Sequence, residues 1–262
     1  MYHPQEAATF LQDLRAGKSA THNVPDTLYP PSVEDAFTVQ DLVVQERLHS
    51  HDSKPLGYKI ACTNQQVIDL LGVSGPFPGR LMTHSTYESG AALLASDFRL
   101  RIMEAEFGFE LARDVPLADT AYTADSIRSY VGAVLPGLEM VVPGYTDFYR
   151  VGESALFADN AIHGACVFGK PVKNWQDTDF PGHSVTLSVN GDVFAIGVGA
   201  NVLGNPLSAL AWLANHLAGR GIVLRAGERI LTGTAGKIYP AQTGDAVTAD
   251  FGDLGSVSLA FR

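Results

Sequence analysis

The stretch Arg101-Ile102-Met103-Glu104-Ala105-Glu106-Phe107-Gly108-Phe109-Glu110-Leu111 alternates apolar and acidic side chains. On a β-strand successive side chains point to opposite faces. Met103, Ala105, Phe107, Phe109 and Leu111 then share a core face, and Glu104, Glu106 and Glu110 share the other. Wound as a helix, the same residues would scatter the acids among the apolar positions, so a strand is the expected form. It sets Glu104 and Glu106 side by side, roughly 7 Å apart from i to i+2. There they repel unless water or a counter-charge compensates. A solvated strand face is one resolution. A bound hard cation, which takes carboxylate oxygens, is the other.

A third acid bears on that choice. Glu139 lies in Leu138-Glu139-Met140-Val141-Val142, an apolar run expected to be a strand entered through a Pro136-Gly137 turn. One carboxylate in such a run is costly to bury without a partner, and a third ligand from a neighbouring strand would explain it. Lys59 sits likewise in Gly57-Tyr58-Lys59-Ile60-Ala61, either snorkelling to the surface or desolvated as a catalytic lysine or a partner for a substrate carboxylate. Arg80 follows the rigid Pro76-Phe77-Pro78-Gly79, which suits either presenting a guanidinium to an anion or a plain surface salt bridge. Asp159-Asn160 precede the small-residue run Ala161-Ile162-His163-Gly164-Ala165, where they are placed to cap a turn or to orient other groups.

Around these motifs the texture changes along the chain. Up to about residue 72 it is helical. One helix covers Ala7 to Leu14, and a second follows Pro30-Pro31 with Ser32 as N-cap and Asp35 at its third position. A third runs from Asn64 to Leu71 and ends at Gly72. From about residue 98 strands dominate. Val185, Leu187 and Val189 alternate with polar residues, Asn190-Gly191 supplies a hairpin turn, and Val257, Leu259 and Phe261 alternate again. Two helices interrupt them. One is expected over Ala124–Val134, and one runs from Asn205-Pro206 through Leu217 to Gly219. The class is α+β, a helical N-terminal segment on a mostly-β body.

Composition narrows the function. The 262 residues are 46% hydrophobic and 18% charged, with a net charge of -10. That charge argues against nucleic acid, whose phosphates call for clustered Lys and Arg. It leaves anionic substrates open, since a bound cation reverses the local field. Cys62 and Cys166 form no CxxC pair. No HExxH, GxSxG or Walker motif occurs, and Gly197, Gly199 and Gly204 miss the dinucleotide spacing. With neither a signal peptide nor an apolar run of roughly 18 residues, a cytoplasmic protein without membrane contact is expected.

Together these segments resemble the fumarylacetoacetate hydrolase superfamily, and within it the branch of 2-hydroxypenta-2,4-dienoate hydratases and 4-oxalocrotonate decarboxylases. The resemblance runs through Glu34-Asp35-Ala36-Phe37, Gly57-Tyr58-Lys59-Ile60, Glu104-Ala105-Glu106 and Leu138-Glu139. It continues in Ala158-Asp159-Asn160-Ala161, Leu203-Gly204-Asn205-Pro206-Leu207, Trp212-Leu213-Ala214-Asn215 and Leu231-Thr232-Gly233-Thr234. It implies Mg²⁺ or Mn²⁺ on Glu104, Glu106 and Glu139, and Lys59 in the active site. It also implies a mixed β-roll of the C-terminal-domain type over residues 81–262 behind a helical segment 1–80, and a homo-oligomer. Arg80, Asp159 and Thr234 are the expected substrate contacts. Two positions depart from the branch: Phe77 stands where hydratases often carry an acid, and Ile162 where they carry a serine.

The activity implied is a lyase of compound catabolism, most closely the hydration of a conjugated 2-oxo acid such as 2-keto-4-pentenoate. Decarboxylation of an oxalocrotonate uses the same metal enolate. Hydrolysis of an acylpyruvate would need a base, for which Glu34 or His22 are the visible candidates. An inactive oxo-acid binding protein is the non-enzymatic alternative.

Overall fold

The computed structural model describes residues 2–18 and 24–262, so His22 lies outside the described residues. Helices α1 (Pro4–Arg15), α2 (Val33–Ser50) and α3 (Gln65–Leu71) form where the sequence signals place them. Ser32 accepts from the Asp35 N–H, and Asn64 accepts from the Gln66 N–H, each satisfying an orphan amide of a first turn. Gly72 closes α3 at φ 61°, a left-handed cap open to glycine at little cost. Two strands fall within this N-terminal region, β1 (Pro55–Ala61) and β2 (Phe77–Met82), and both belong to the large sheet described next.

Next come β3 (Thr86–Glu88), β4 (Ala91–Leu93), β5 (Ile102–Leu111), α4 (Ala124–Ile127), β6 (Val131–Val141), α5 (Glu153–Ala158) and β7 (His163–Phe168). The C-terminal third supplies β8 (Ser184–Val189), β9 (Asp192–Val198), α6 (Pro206–Ala218), β10 (Arg229–Thr234), β11 (Tyr239–Pro240), β12 (Ala246–Asp250) and β13 (Ser256–Phe261). One mixed sheet has the order β2-β1-β10-β5-β6-β7-β3, with β11 also on β5; the second has the order β4-β13-β12-β8-β9. Phe107 and Phe109 of β5 belong to the core shared by the two sheets, with Leu187, Val247, Leu259 and the apolar face of α6. A second cluster joins α1 and α2 to Val141, Tyr145, Phe157 and Ile162. The central strands are therefore covered on both faces, and any charge on them needs a local partner.

The helix expected over Ala124–Val134 is cut short. After α4 and a single tight turn at Arg128–Tyr130, the chain enters β6 at Val131, and Pro136-Gly137 are interior strand residues rather than a turn. Proline is tolerated there because Pro136 turns its edge toward the gap where β7 has ended. Its carbonyl accepts from the Gly169 N–H at 2.8 Å, and Val134 pairs next with Val172. No ladder donor is demanded at the proline nitrogen. The long strand that results carries Glu139 to the centre of the sheet.

Candidate metal centre

Glu104 of β5 and Glu139 of β6 are direct antiparallel partners, so their side chains project from the same face of the sheet. Glu106, two residues along β5, shares that face. One carboxylate oxygen from each of the three lies within 4.8 Å of the others. That span suits ligands around one ion with oxygen bonds of about 2.0–2.6 Å. Among the described residues no other cluster of three His, Cys, Asp or Glu side chains meets this test. Glu106 and Glu139 are fully buried, and Glu106 Oε1 has no hydrogen-bond partner. A buried, unpaired carboxylate oxygen facing two other carboxylates fits a hard cation.

The surrounding backbone is shaped to these acids. β10 is irregular between Leu231 and Thr234, and the departure turns the Gly233 N–H onto Glu106 Oε2 at 2.6 Å. Gly233 sits at φ 94°, and a Cβ there would lie 1.9 Å from Thr63 Oγ1, so glycine is required on both counts. Lys59 arrives from β1 with a buried side chain. Its Nζ lies 3.1 Å from Glu139 Oε2 and donates to the Ala161 carbonyl at 3.2 Å. That carbonyl belongs to a left-handed run in which Asn160, Ala161 and Ile162 have φ of 52°, 52° and 50°. Such a conformation costs about 1–2 kcal/mol per residue. The Asn160 side chain offsets part of this by accepting from the Arg80 N–H at 2.7 Å and donating to the Arg80 carbonyl at 3.0 Å.

His163 completes the arrangement from β7. Its Nδ1 lies 2.8 Å from Glu139 Oε1, opposite Lys59, and the ring is buried. Asp159, also fully buried, pairs with Arg15 of α1 and Arg47 of α2 and so ties both helices to the start of the left-handed run.

Protonation follows this placement. Burial and the neighbouring Glu139 push Glu104 up to about 7, with Lys59 opposing. Glu106 is raised well above its ordinary value by burial and by both other acids. Burial would raise Glu139 too, but the Lys59 ammonium and His163 outweigh it and hold the group at about 2. Burial works against the charge on Lys59, and the three carboxylates more than reverse it.

A cleft opens onto Glu104 of this cluster. Lys59, Glu104, Thr63, Asn64 and Thr234 line it, together with the apolar side chains of Val67, Leu71, Phe77, Phe148, Ile162 and Ile238. Of the residues expected at the site, the structure brings together Glu104, Glu106, Glu139, Lys59 and Thr234. It does not bring Arg80 there. Arg80 pairs with Tyr58 across β1 and β2, whereas Lys59 pairs with Gly79, so strand alternation sends Arg80 to the opposite face. Its guanidinium lies 4.0 Å over the Tyr58 ring and 3.6 Å from Glu228. Asp159 lies behind the site, on its arginine pair, and does not line the cleft. Phe77 and Ile162, the two departures, both line it. Sequence reasoning missed His163 and the positioning role of Asn160. Both follow Asp159 in one short run, and a lone histidine there has no partner spacing to mark it.

Residues 83–261 match the fumarylacetoacetate (FAA) hydrolase C-terminal family. A 2-keto-4-pentenoate hydratase of Paraburkholderia xenovorans is 32% identical over 259 residues, covering 98% of this chain and 94% of the relative. A 4-oxalocrotonate decarboxylase of Pseudomonas putida is 30% identical over 240 residues, with 92% and 89% covered. Among solved structures, the 4-oxalocrotonate decarboxylase of Pseudomonas putida G7, complexed with magnesium and adipate, superposes with a TM-score of 0.89. It is 26% identical and covers 99% of this chain and 97% of its own.

Proposed function

The chain belongs to the fumarylacetoacetate hydrolase family, and from that premise we propose that it is a divalent-metal-dependent lyase of small 2-oxo or 2-hydroxydienoic acids, adding water to a conjugated 2-oxo acid. The observation that carries this is the cluster of Glu104, Glu106 and Glu139 beside the buried Lys59, with Glu104 and Lys59 lining a largely apolar cleft. Relatives named as hydratases and decarboxylases support it, and the magnesium complex of the decarboxylase supports Mg²⁺, or the similar Mn²⁺, as the ion. When bound, such an ion supplies a Lewis acid toward the 2-oxo group.

The remaining work falls to the chain. Lys59, kept charged by the carboxylates, is placed to hold the substrate carboxylate or to move a proton at the adjacent carbon. Thr234 borders the substrate at the metal end, its backbone in register with Glu106. The apolar walls keep bulk water off the reacting chain. His163 and Gly233 fix the carboxylates. Residues 1–80 and 81–262 act as one catalytic unit in this proposal, because Lys59 comes from the first and all three acids from the second. Among the described residues no helix is long and apolar enough to cross a membrane. We further propose a cytoplasmic homo-oligomer.

Decarboxylation is the second reading, supported by the relatives named as 4-oxalocrotonate decarboxylases and by a carboxylate cluster that would serve either reaction. The test is a panel of 2-oxo and 2-hydroxydienoic acids with Mg²⁺ or Mn²⁺, beside an EDTA control and Glu106→Ala, with products followed by absorbance and mass. Gain of water on a dienoate establishes the hydratase, and loss of CO₂ establishes the decarboxylase. Turnover that survives both EDTA and Glu106→Ala overturns the metal-dependent reading.

A further inference from the structure

The cleft is asymmetric in charge. Lys59 and Glu104 are its charged lining residues, and most of the rest of the lining is hydrocarbon, including Val67, Leu70 and Leu71 of α3 with Phe77, Phe148 and Ile162. Among the described residues that line it, Lys59 is the sole cation, and it is already committed to Glu139 and the Ala161 carbonyl. The polar side chains near the base are engaged as well. Thr63 Oγ1 donates to the Thr232 carbonyl at 2.8 Å, and Thr234 Oγ1 donates to the Gly236 carbonyl at 3.1 Å. Asn64 donates to the Thr234 carbonyl at 3.3 Å and accepts from the Gln66 N–H at 3.0 Å. Lys237, next in sequence to the lining residue Ile238, is exposed and does not line the cleft.

A 2-oxo acid bound by its carboxylate and oxo group at the base must direct its tail along these walls. A tail ending in a second carboxylate would leave that charge desolvated and without a counter-ion, which is strongly unfavourable. An alkyl, alkenyl or aryl tail instead gains from burial against the same surface. We infer that the substrate is a monocarboxylic 2-oxo (or 2-hydroxydienoic) acid with an apolar tail, and that the cleft discriminates against the dicarboxylic acid of the same length. This rests on the 2-oxo acid reading above and adds the nature of the tail.

The test is calorimetric titration of the Mn²⁺-loaded protein with 2-oxohexanoate and 2-oxoadipate, which differ only in a terminal methyl against a carboxylate. The monocarboxylate is expected to bind on the order of 100-fold more tightly, given the cost of an unpaired buried charge. Leu70→Arg, at a half-exposed position on the cleft wall, should narrow that ratio about tenfold by supplying a counter-ion. Lys237→Ala should leave it unchanged. Equal or tighter binding of 2-oxoadipate overturns the inference while leaving the 2-oxo acid reading in place, and so does a marked weakening of 2-oxoadipate alone in Lys237→Ala, which would make Lys237 the counter-ion of a tail carboxylate. If neither acid binds at millimolar concentration, the 2-oxo acid reading falls and the inference falls with it.

Discussion

Lys59 Nζ and Glu139 Oε2 lie 3.1 Å apart with both side chains closed to solvent. An ion pair so buried is a poor source of net stability, since desolvation consumes most of the attraction, but breaking it by removing one partner is costly. Its value lies in holding two charges where each has a further task. Glu139 faces Glu104 and Glu106, and the ammonium points to the same floor of the cleft.

Replacing the lysine therefore separates its two roles. Lys59→Met leaves Glu139 with His163 alone, and the metal-free protein should lose about 3–5 kcal/mol of stability. A divalent ion returns positive charge to the same carboxylates, so saturating Mg²⁺ should recover much of that loss. Activity should not return with it, because the group proposed to move a proton or hold the substrate carboxylate is gone. Denaturant melts with and without Mg²⁺, run beside turnover assays, check both halves; equal destabilisation in the two conditions would contradict the shared-charge account.

How far the site was legible in the sequence follows from the periods involved. Strand alternation set Glu104 and Glu106 on one face, and the isolated acid in an apolar run marked Glu139, because a strand's side-chain period is short and local. Helix caps at Ser32 and Asn205 were legible for the same reason: their signals span three or four residues. The entry to β6 was not. Its valines suit helix or strand alike, and Pro136 reads as a breaker unless the end of β7 is known. Arg80 and His163 failed in complementary ways. Only the β1–β2 register shows that Arg80 faces away from Lys59, and only the β6–β7 pairing brings His163 to Glu139.

Glu106→Gln tests the metal cluster with the least disturbance to the fold. The amide oxygen can still accept from the Gly233 N–H, which lies 2.6 Å from the native carboxylate, so the strand irregularity should survive. Loss of one anionic ligand should weaken Mg²⁺ or Mn²⁺ binding by at least about 100-fold, since hard cations depend on the count of charged oxygen ligands. Calorimetry for affinity and circular dichroism for fold distinguish a lost ligand from a lost structure.

Metal binding should also release protons. Without an ion, Glu104 is raised to about 7, so it carries a proton at neutral pH for part of the time, and Glu106 is shifted in the same direction. The ion takes the deprotonated forms, and affinity should rise as pH climbs through 7, by up to about tenfold per unit for each proton displaced. Stability runs the other way. A carboxyl raised in the fold favours the folded state below its unfolded value, and that contribution is lost as pH rises through its folded value. The metal-free protein should therefore lose stability between about pH 4.5 and 7, the window of the Glu104 shift. The increase in Tm on adding Mg²⁺ should be larger at pH 8 than at pH 5.5. Proton release is read by titrating in buffers of different ionisation enthalpy, and no buffer dependence would contradict these raised carboxyls.

His163 gives the last prediction. It touches no part of the cleft, but its Nδ1 fixes Glu139 Oε1 at 2.8 Å and leaves Oε2 directed toward Lys59. Partners of this kind orient metal ligands, and their removal typically costs 10–100-fold in metal affinity. His163→Ala should show that loss in Mn²⁺ titration and also remove a buried hydrogen bond, lowering stability by about 1–3 kcal/mol. His163→Asn, whose amide can donate to the same oxygen, should recover part of the metal affinity. Because the ring does not line the cleft, the pH profile of kcat at saturating metal should keep its shape in both variants. A profile that shifts in His163→Asn while metal affinity stays at the native value would instead assign His163 a direct part in proton transfer.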